Sequence, residues 1–248
     1  MERSEQGVAA TVPCDLSVII ATYNEGPYLE DSVAQVRAVL EQTRLAYELI
    51  VIDDASGNDT PATVRRCAAE HGDVLQAVFH DTNQGRGGTV SDGIRRARGQ
   101  YVGFLDIDLE VHARYIPAMV QALQDGHDVA TAYRVYRADL RHLHRHLLSV
   151  GYRMLSRRLL HHSLADTETG YKFFHRERIL PILDQCQDRG WFWDTEIMVR
   201  ALRAGLRIVE IPCVFTYRFE KSSTVNVVRD VTDYIVKLWR FRRNTPAP

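Results

Sequence analysis

The sequence predicts an α/β fold with a mostly parallel central sheet flanked by helices. Short, near-continuous apolar runs alternate with amphipathic stretches, as in strands buried on both faces and covered by crossover helices. Carboxylate-rich clusters follow several of those runs, at the strand ends where open α/β sheets bind ligands. A length of 248 residues with 45% hydrophobic and 25% charged residues is that of an ordinary globular chain, large enough for a core without staples.

In chain order, strands are expected at Leu16–Ala21, Tyr47–Ile52, Val74–Phe79, Tyr101–Leu105 and Asp128–Ala132. Helices are expected over Leu29–Leu40, Thr60–Glu70, Thr89–Arg98 and Tyr115–Leu123 between them. From about Arg141 the pattern changes. A long basic helical stretch over 141–162 precedes a short strand at Tyr171–Phe174, a helix at Trp193–Ala204, a strand at Arg207–Tyr217 and an amphipathic helix over 225–243. The expected organisation is one catalytic domain over 14–225, with a nucleotide-binding half (14–133) and an acceptor-binding half (134–225), then a C-terminal helix and tail (226–248).

The formal net charge of −1 argues against general nucleic-acid binding. Cys14, Cys67, Cys186 and Cys213 are scattered with no Cys-x-x-Cys pair, so a cytoplasmic, reducing setting is expected. The polar start lacks a signal-peptide core, and no apolar run is long enough to span a bilayer. Membrane contact, if any, is peripheral, at the inner face. Its candidates are the basic 141–162 stretch and Lys237, Arg240, Arg242 and Arg243.

Four clusters carry chemistry. Asp106-Ile107-Asp108 follows a strand, where residues two apart share a side and both carboxylates converge. Two such carboxylates resist joint ionisation unless a cation joins them, and Mg²⁺ or Mn²⁺ suits that oxygen environment. The ordinary alternative is an acidic turn opening the next helix. Asp53-Asp54-Ala55-Ser56-Gly57-Asn58-Asp59-Thr60 closes the second strand. Asp59 or Thr60 suits a helix cap and Pro61 the first turn, while Asp53 and Asp54 suit a base N–H or ribose hydroxyl. Thr22-Tyr23-Asn24-Glu25 offers a ring for stacking on a nucleobase, or simply a helix start. Asn83-Gln84-Gly85-Arg86-Gly87-Gly88 leads into a helix whose N-terminus would favour an anion, but lacks the dinucleotide and Walker spacings.

Together and in this order, these clusters resemble the inverting GT-A glycosyltransferases of family two. Asp166-Thr167-Glu168-Thr169-Gly170-Tyr171-Lys172-Phe173-Phe174, Trp193-Asp194-Thr195-Glu196 and Val209-Glu210-Ile211-Pro212 resemble its polyprenyl-phosphate branch, dolichyl-phosphate glucosyl- and mannosyltransferases included. The resemblance implies the GT-A nucleotide-diphospho-sugar transferase fold. It implies that Thr22, Tyr23, Glu25, Asp53, Asp54, Gly85, Arg86 and Asp106 hold the nucleotide, and that Asp106 and Asp108 hold Mg²⁺ or Mn²⁺. Arg134, Asp166, Gly170, Lys172, Arg218 and Ser222 would form the acceptor and phosphate side. Glu110, Glu168, Tyr171 and Arg86 depart from the residues usual at their positions (Gln, Gln, Phe and Lys).

The function so implied is transfer of a hexose from a UDP- or GDP-sugar to a polyprenyl phosphate. The alternatives are a soluble hydroxyl acceptor in secondary metabolism, or a non-catalytic sugar-nucleotide-binding protein. A phosphate acceptor needs cations such as Arg134, Lys172 and Arg218 to orient it, whereas a hydroxyl needs a carboxylate base. Asp194 is the candidate catalytic base beside Asp108, although an Asp just before Ile197–Ala204 is a natural helix cap. His142, His144, His146, His161 and His162 read as a solvated basic helix, with Leu143, Leu147, Met154 and Leu159 in the core. Trp191, Phe192 and Trp193 line an acceptor entrance or are buried.

Overall fold

The computed structural model describes residues 14–136, 143–216 and 227–245, with backbone alone for 143–149 and 227–232. Seven strands form one sheet: β1 (Leu16–Thr22), β2 (Tyr47–Asp53), β3 (Leu75–Phe79), β4 (Tyr101–Leu105), β5 (Val129–Tyr136), β6 (Tyr171–His175) and β7 (Ile208–Phe215). Their spatial order is β3-β2-β1-β4-β6-β5-β7. β1, β2, β3 and β4 run parallel, β5 pairs parallel with β7, and β6 runs antiparallel to both β4 and β5.

The helices are α1 (Gly26–Leu40), α2 (Thr60–His71), α3 (Arg86–Arg96), α4 (Ile116–Gln124), α5 (Leu143–Leu160), α6 (Arg176–Leu183), α7 (Trp193–Arg203) and α8 (Val227–Asn244), with a 3₁₀ turn at Ala113–Tyr115 before α4. The expected elements lie within a few residues of these, except α6, hidden by Pro181 inside its last turns. Tyr217 of the expected last strand lies outside the described residues.

Leu16, Val18, Ile20, Leu49 and Val51 point to one face of the sheet, against α1, α2 and α4. Ile19, Ile50, Ile52, Val102 and Phe104 point to the other, with α3, α6 and α7. Strands covered on both faces are apolar at nearly every position, which is why their sequences read as near-continuous runs; the buried Ser17 and Glu48 satisfy each other with a hydrogen bond of 2.6 Å. A third cluster of Leu160, Phe192, Val199, Leu238 and Phe241 joins α5, α7 and α8. The expectation for the Leu-containing stretch holds for Leu159, which packs there, but Met154 is 64% exposed. It lies on the face of α5 turned from that cluster. Phe192 and Trp193 are buried, whereas Trp191 is exposed.

The antiparallel strand decides where the site forms. Leu105 pairs with Tyr171, so the turn leading into β6 meets the carboxyl end of β4. β5 then leaves at the same edge, carrying Arg134. Residues 22–25, 53–56, 106–108, 134 and 166–172 therefore converge on one edge of the sheet.

Candidate active site

On the nucleotide side, Thr22 and Asp53 are register partners at the ends of β1 and β2. Thr22 Oγ1 and Asp53 Oδ1 are buried with no hydrogen-bond partner among the described residues. Buried polar atoms are normally satisfied, so such a neighbouring pair marks a place for a ligand. The other oxygen of Asp53 accepts the Ser56 amide at 3.1 Å. Asn24, in a left-handed conformation (φ 58°), accepts the Gly57 amide at 3.0 Å, tying the first loop to the second. Tyr23 is half exposed beside them, and Glu25 stands at the start of α1.

Asp54, expected on the nucleoside, faces elsewhere. Its carboxylate accepts the amides of Gln84 (2.8 Å) and Gly85 (2.9 Å) and lies 2.7 Å from Nδ1 of His80. The helix expected from Thr89 starts at Arg86, and the loop amides expected to meet an anionic ligand are held by this buried carboxylate instead. A side chain at Gly85 is barred twice: its φ is 78°, and a Cβ would lie 2.5 Å from the Arg189 carbonyl oxygen.

Asp106 and Asp108 lie in a turn after β4 rather than in an extended strand. Leu109 N donates to Asp106 O at 3.1 Å, and Leu109 has φ 49°. Asp106 N donates to Gly170 O at 3.0 Å, continuing the β4–β6 pairing one step past the strand. Any Cβ on Gly170 would overlap the Asp106 carboxylate and the Arg86 guanidinium. Asp106 is 43% exposed at its side chain, Asp108 is half-buried, and Asp108 Oδ1 accepts the Glu110 amide at 3.3 Å. Among the described residues no group of three or more His, Cys, Asp or Glu forms a protein cage for a metal. Two accessible carboxylates fit a hard divalent ion that draws its remaining ligands from phosphate and water.

Behind Asp106 lies a buried chain of ion pairs. Arg86 donates to Asp106 Oδ1 through Nε (3.1 Å) and Nη2 (2.6 Å), and through Nη1 to Asp194. Lys172, fully buried, donates to the other oxygen of Asp194 at 2.7 Å and to the Thr169 carbonyl. Arg86 is held well above its ordinary range, because Asp106 and Asp194 outweigh its burial. For Lys172 burial is the larger influence and pulls its ammonium down, with Asp194 opposing. Asp194 does not cap a helix. It lies in the first turn of α7, and Phe192 occupies the cap position without a side-chain bond. Glu196, on another face, accepts the amides of Gln187 and Asp188.

On the acceptor side, Arg134 grips Asp166 through Nε (2.7 Å) and Nη2 (2.9 Å) and lies 3.5 Å from Glu168. The guanidinium holds Asp166 below the usual carboxylate range despite burial. Burial pushes Glu168 up to about 7, partly offset by Arg134. Glu210 fixes the turn below them, accepting the amides of Ala165 and Asp166 at 2.8 Å. Glu168 and Glu210 fall outside the expected site residues, as does His80. Arg218, Ser222 and His142 lie outside the described residues, as do the side chains of His144 and His146. A cavity of about 540 Å³ runs along α3 past His80, Gln84, Asp92 and Arg189 and includes neither Asp106 nor Asp108. The paired carboxylates, not that cavity, mark the chemistry.

The chain matches the family model "Glycosyl transferase family 2" over residues 17–180. It is 33% identical to glycosyltransferase AglD of Haloferax volcanii, over 93% of this chain and 38% of that protein. It is 26% identical to the dolichyl-phosphate beta-glucosyltransferase of Saccharomyces cerevisiae, over 79% of this chain and 65% of the relative. The chain thus spans less than two thirds of the length of these relatives. Its fold matches glucosyl-3-phosphoglycerate synthase of Mycobacterium tuberculosis, solved with Mn²⁺, UDP and glucosyl-3-phosphoglycerate. The TM-score is 0.70 at 17% identity, covering 94% of this chain and 81% of that one.

Proposed function

This chain belongs to glycosyl transferase family 2, and from that membership we propose that it is a metal-dependent transferase moving a sugar from a nucleoside-diphosphate donor to a hydroxyl-bearing acceptor. Thr22, Tyr23, Glu25 and Asp53 would receive the nucleoside, where two buried polar atoms at neighbouring strand ends await partners. Asp106 and Asp108 would hold Mg²⁺ or Mn²⁺, as fits a domain whose fold neighbour was solved with Mn²⁺ and UDP. A bound divalent ion supplies charge neutralisation for the departing diphosphate. Asp54 acts at one remove, shaping the loop that delivers Arg86 to Asp106.

The observation that carries the choice of acceptor is the charge balance behind the site. A phosphate acceptor needs cations with attraction to spare. Arg134 is bound by Asp166 in a two-pronged pair, and Lys172 is bound by Asp194 with no exposed surface. Arg86 is shared between two aspartates. Among the described residues, such an environment suits a neutral hydroxyl better than a second phosphate anion. The fold neighbour, solved with glucosyl-3-phosphoglycerate, points to a hydroxyl of a soluble acceptor.

A second reading, a polyprenyl phosphate acceptor, draws on the yeast relative's name and on α8. That helix exposes Val236 and Trp239 beside Arg240, Arg242 and Arg243, as a helix lying on anionic lipid would. Among the described residues no helix is long and apolar enough to cross a membrane.

The test is release of nucleoside diphosphate by purified protein with Mn²⁺, UDP-glucose or GDP-mannose, and either hydroxyl acceptors or a short polyprenyl phosphate. Release with hydroxyl acceptors is expected. Release that requires the lipid phosphate would replace the first reading with the second.

A further inference from the structure

We propose that Glu168 is the general base that takes the proton from the acceptor hydroxyl. This inference rests on the hydroxyl-acceptor reading above. The carboxylates near the reacting edge differ in what they already hold. Asp194 is clamped between Arg86 and Lys172, Asp166 is bound two-fold by Arg134, and Asp106 carries Arg86. A carboxylate fixed by cations that also hold its charge is a weak base. Glu168 lies in a long ion pair, 3.5 Å from Arg134, and its side chain keeps 22% of its surface open.

Position supports the role. Glu168 lies two residues before Gly170, whose carbonyl receives the Asp106 amide, so the same turn touches the metal-binding end of β4. Its own amide is fixed by Asp166 Oδ1 at 3.2 Å. Among the described residues the groups that act on it are Arg134 of β5, Asp166 of its own turn, Arg153 and Tyr152 of α5, Asp194 of α7 and Tyr234 of α8. Burial and the two aspartates disfavour its charge while the two arginines favour it, and the balance falls at about 7. A base is most effective with an affinity near the working pH.

The step balances without a further reactant. Glu168 accepts the acceptor's O–H proton as that oxygen bonds to the anomeric carbon. The bond from that carbon to the diphosphate oxygen breaks, with its electron pair leaving on the nucleoside diphosphate. Glu168 then returns the proton to solvent. The sequence had marked Glu168 only as a departure from the Gln usual at its place, and Gln cannot accept this proton.

The decisive variant is Glu168→Gln, which keeps shape and removes basicity. Initial rates would be measured from pH 5.5 to 9 with Mn²⁺, UDP-glucose or GDP-mannose, and water, glycerol, 3-phosphoglycerate or an alkyl glucoside as acceptor. In the wild type, kcat should fall about tenfold per pH unit below about 7. In the variant it should drop by roughly 10²-fold or more and lose that limb. An NMR titration of glutamate side-chain carbons should show one resonance titrating near 7, absent from the variant. A variant within about threefold of wild type that keeps the acid limb overturns the base assignment alone. A wild type that turns over no hydroxyl acceptor, or only polyprenyl phosphate, overturns the acceptor reading itself.

Discussion

Replacing Asp194 by Asn is a direct probe of the buried chain that supports the site. The side chain is 2% exposed and lies between Arg86 and Lys172. After the change Arg86 keeps Asp106, but Lys172 loses its carboxylate partner and is left with neutral acceptors such as the Thr169 carbonyl, with no exposed surface. Breaking a buried pair on one side costs about 3–5 kcal/mol. A ceiling comes from the lysine itself, which can escape by giving up its proton. From the ordinary lysine value of 10.5, that escape at pH 7 costs about 5 kcal/mol. Both routes agree, and for a chain of this size the midpoint of thermal unfolding should fall by roughly 6–20 °C. The sign with pH follows. A lysine whose folded-state affinity lies below its unfolded value binds more protons when unfolded. Stability of Asp194→Asn should therefore rise between pH 7 and 10, by up to about 1.4 kcal/mol per unit, beyond any trend in the wild type. Urea denaturation at several pH values measures this. A loss below about 1 kcal/mol with no extra slope would refute the view that Asp194 serves chiefly as a counter-ion.

Asp108→Ala should abolish turnover and weaken Mn²⁺ binding in the presence of UDP, read by Mn²⁺ paramagnetic resonance; full binding would remove Asp108 from the metal site. His162 has both ring nitrogens buried and unpartnered among the described residues, and burial with Arg157 and Arg203 nearby lowers it to about 4. The neutral ring is compatible with the fold and the charged ring is not, so this stability is complete above about pH 6.5 and is lost as pH falls toward 4. The loss is about 3 kcal/mol. His162→Leu should flatten that part of the acid unfolding curve, and an unchanged curve would count against it.

Much of the fold is written in local sequence, for a physical reason. Strands such as Leu16–Thr22 and Tyr47–Asp53 are covered on both faces, so burial forces apolar residues at successive positions and the run is visible without partners. The Asp106–Asp108 pair was legible for a similar reason, since paired carboxylates after an apolar strand are costly unless something binds them. Even there the local rule misjudged the backbone: the pair lies in a turn closed by Leu109, not in an extended strand. Asp194 showed the limit of helix rules. Its position suggested a cap, while its side chain serves two cations from α3 and β6.

By itself the sequence determined the αβ alternation, the two-sided burial of the strands and the residue types that carry charge at the strand ends, because each follows from periodicity and local composition. Only the tertiary structure decided which charges meet. The antiparallel β6 sets Gly170 against Asp106 and Lys172 against Asp194, and the end of β5 sets Arg134 against Asp166. Those contacts span 22 to 64 residues of chain. Their electrostatic consequences, a neutralised cationic set and a glutamate left poised near neutrality, depend on distance and burial, which no local pattern encodes.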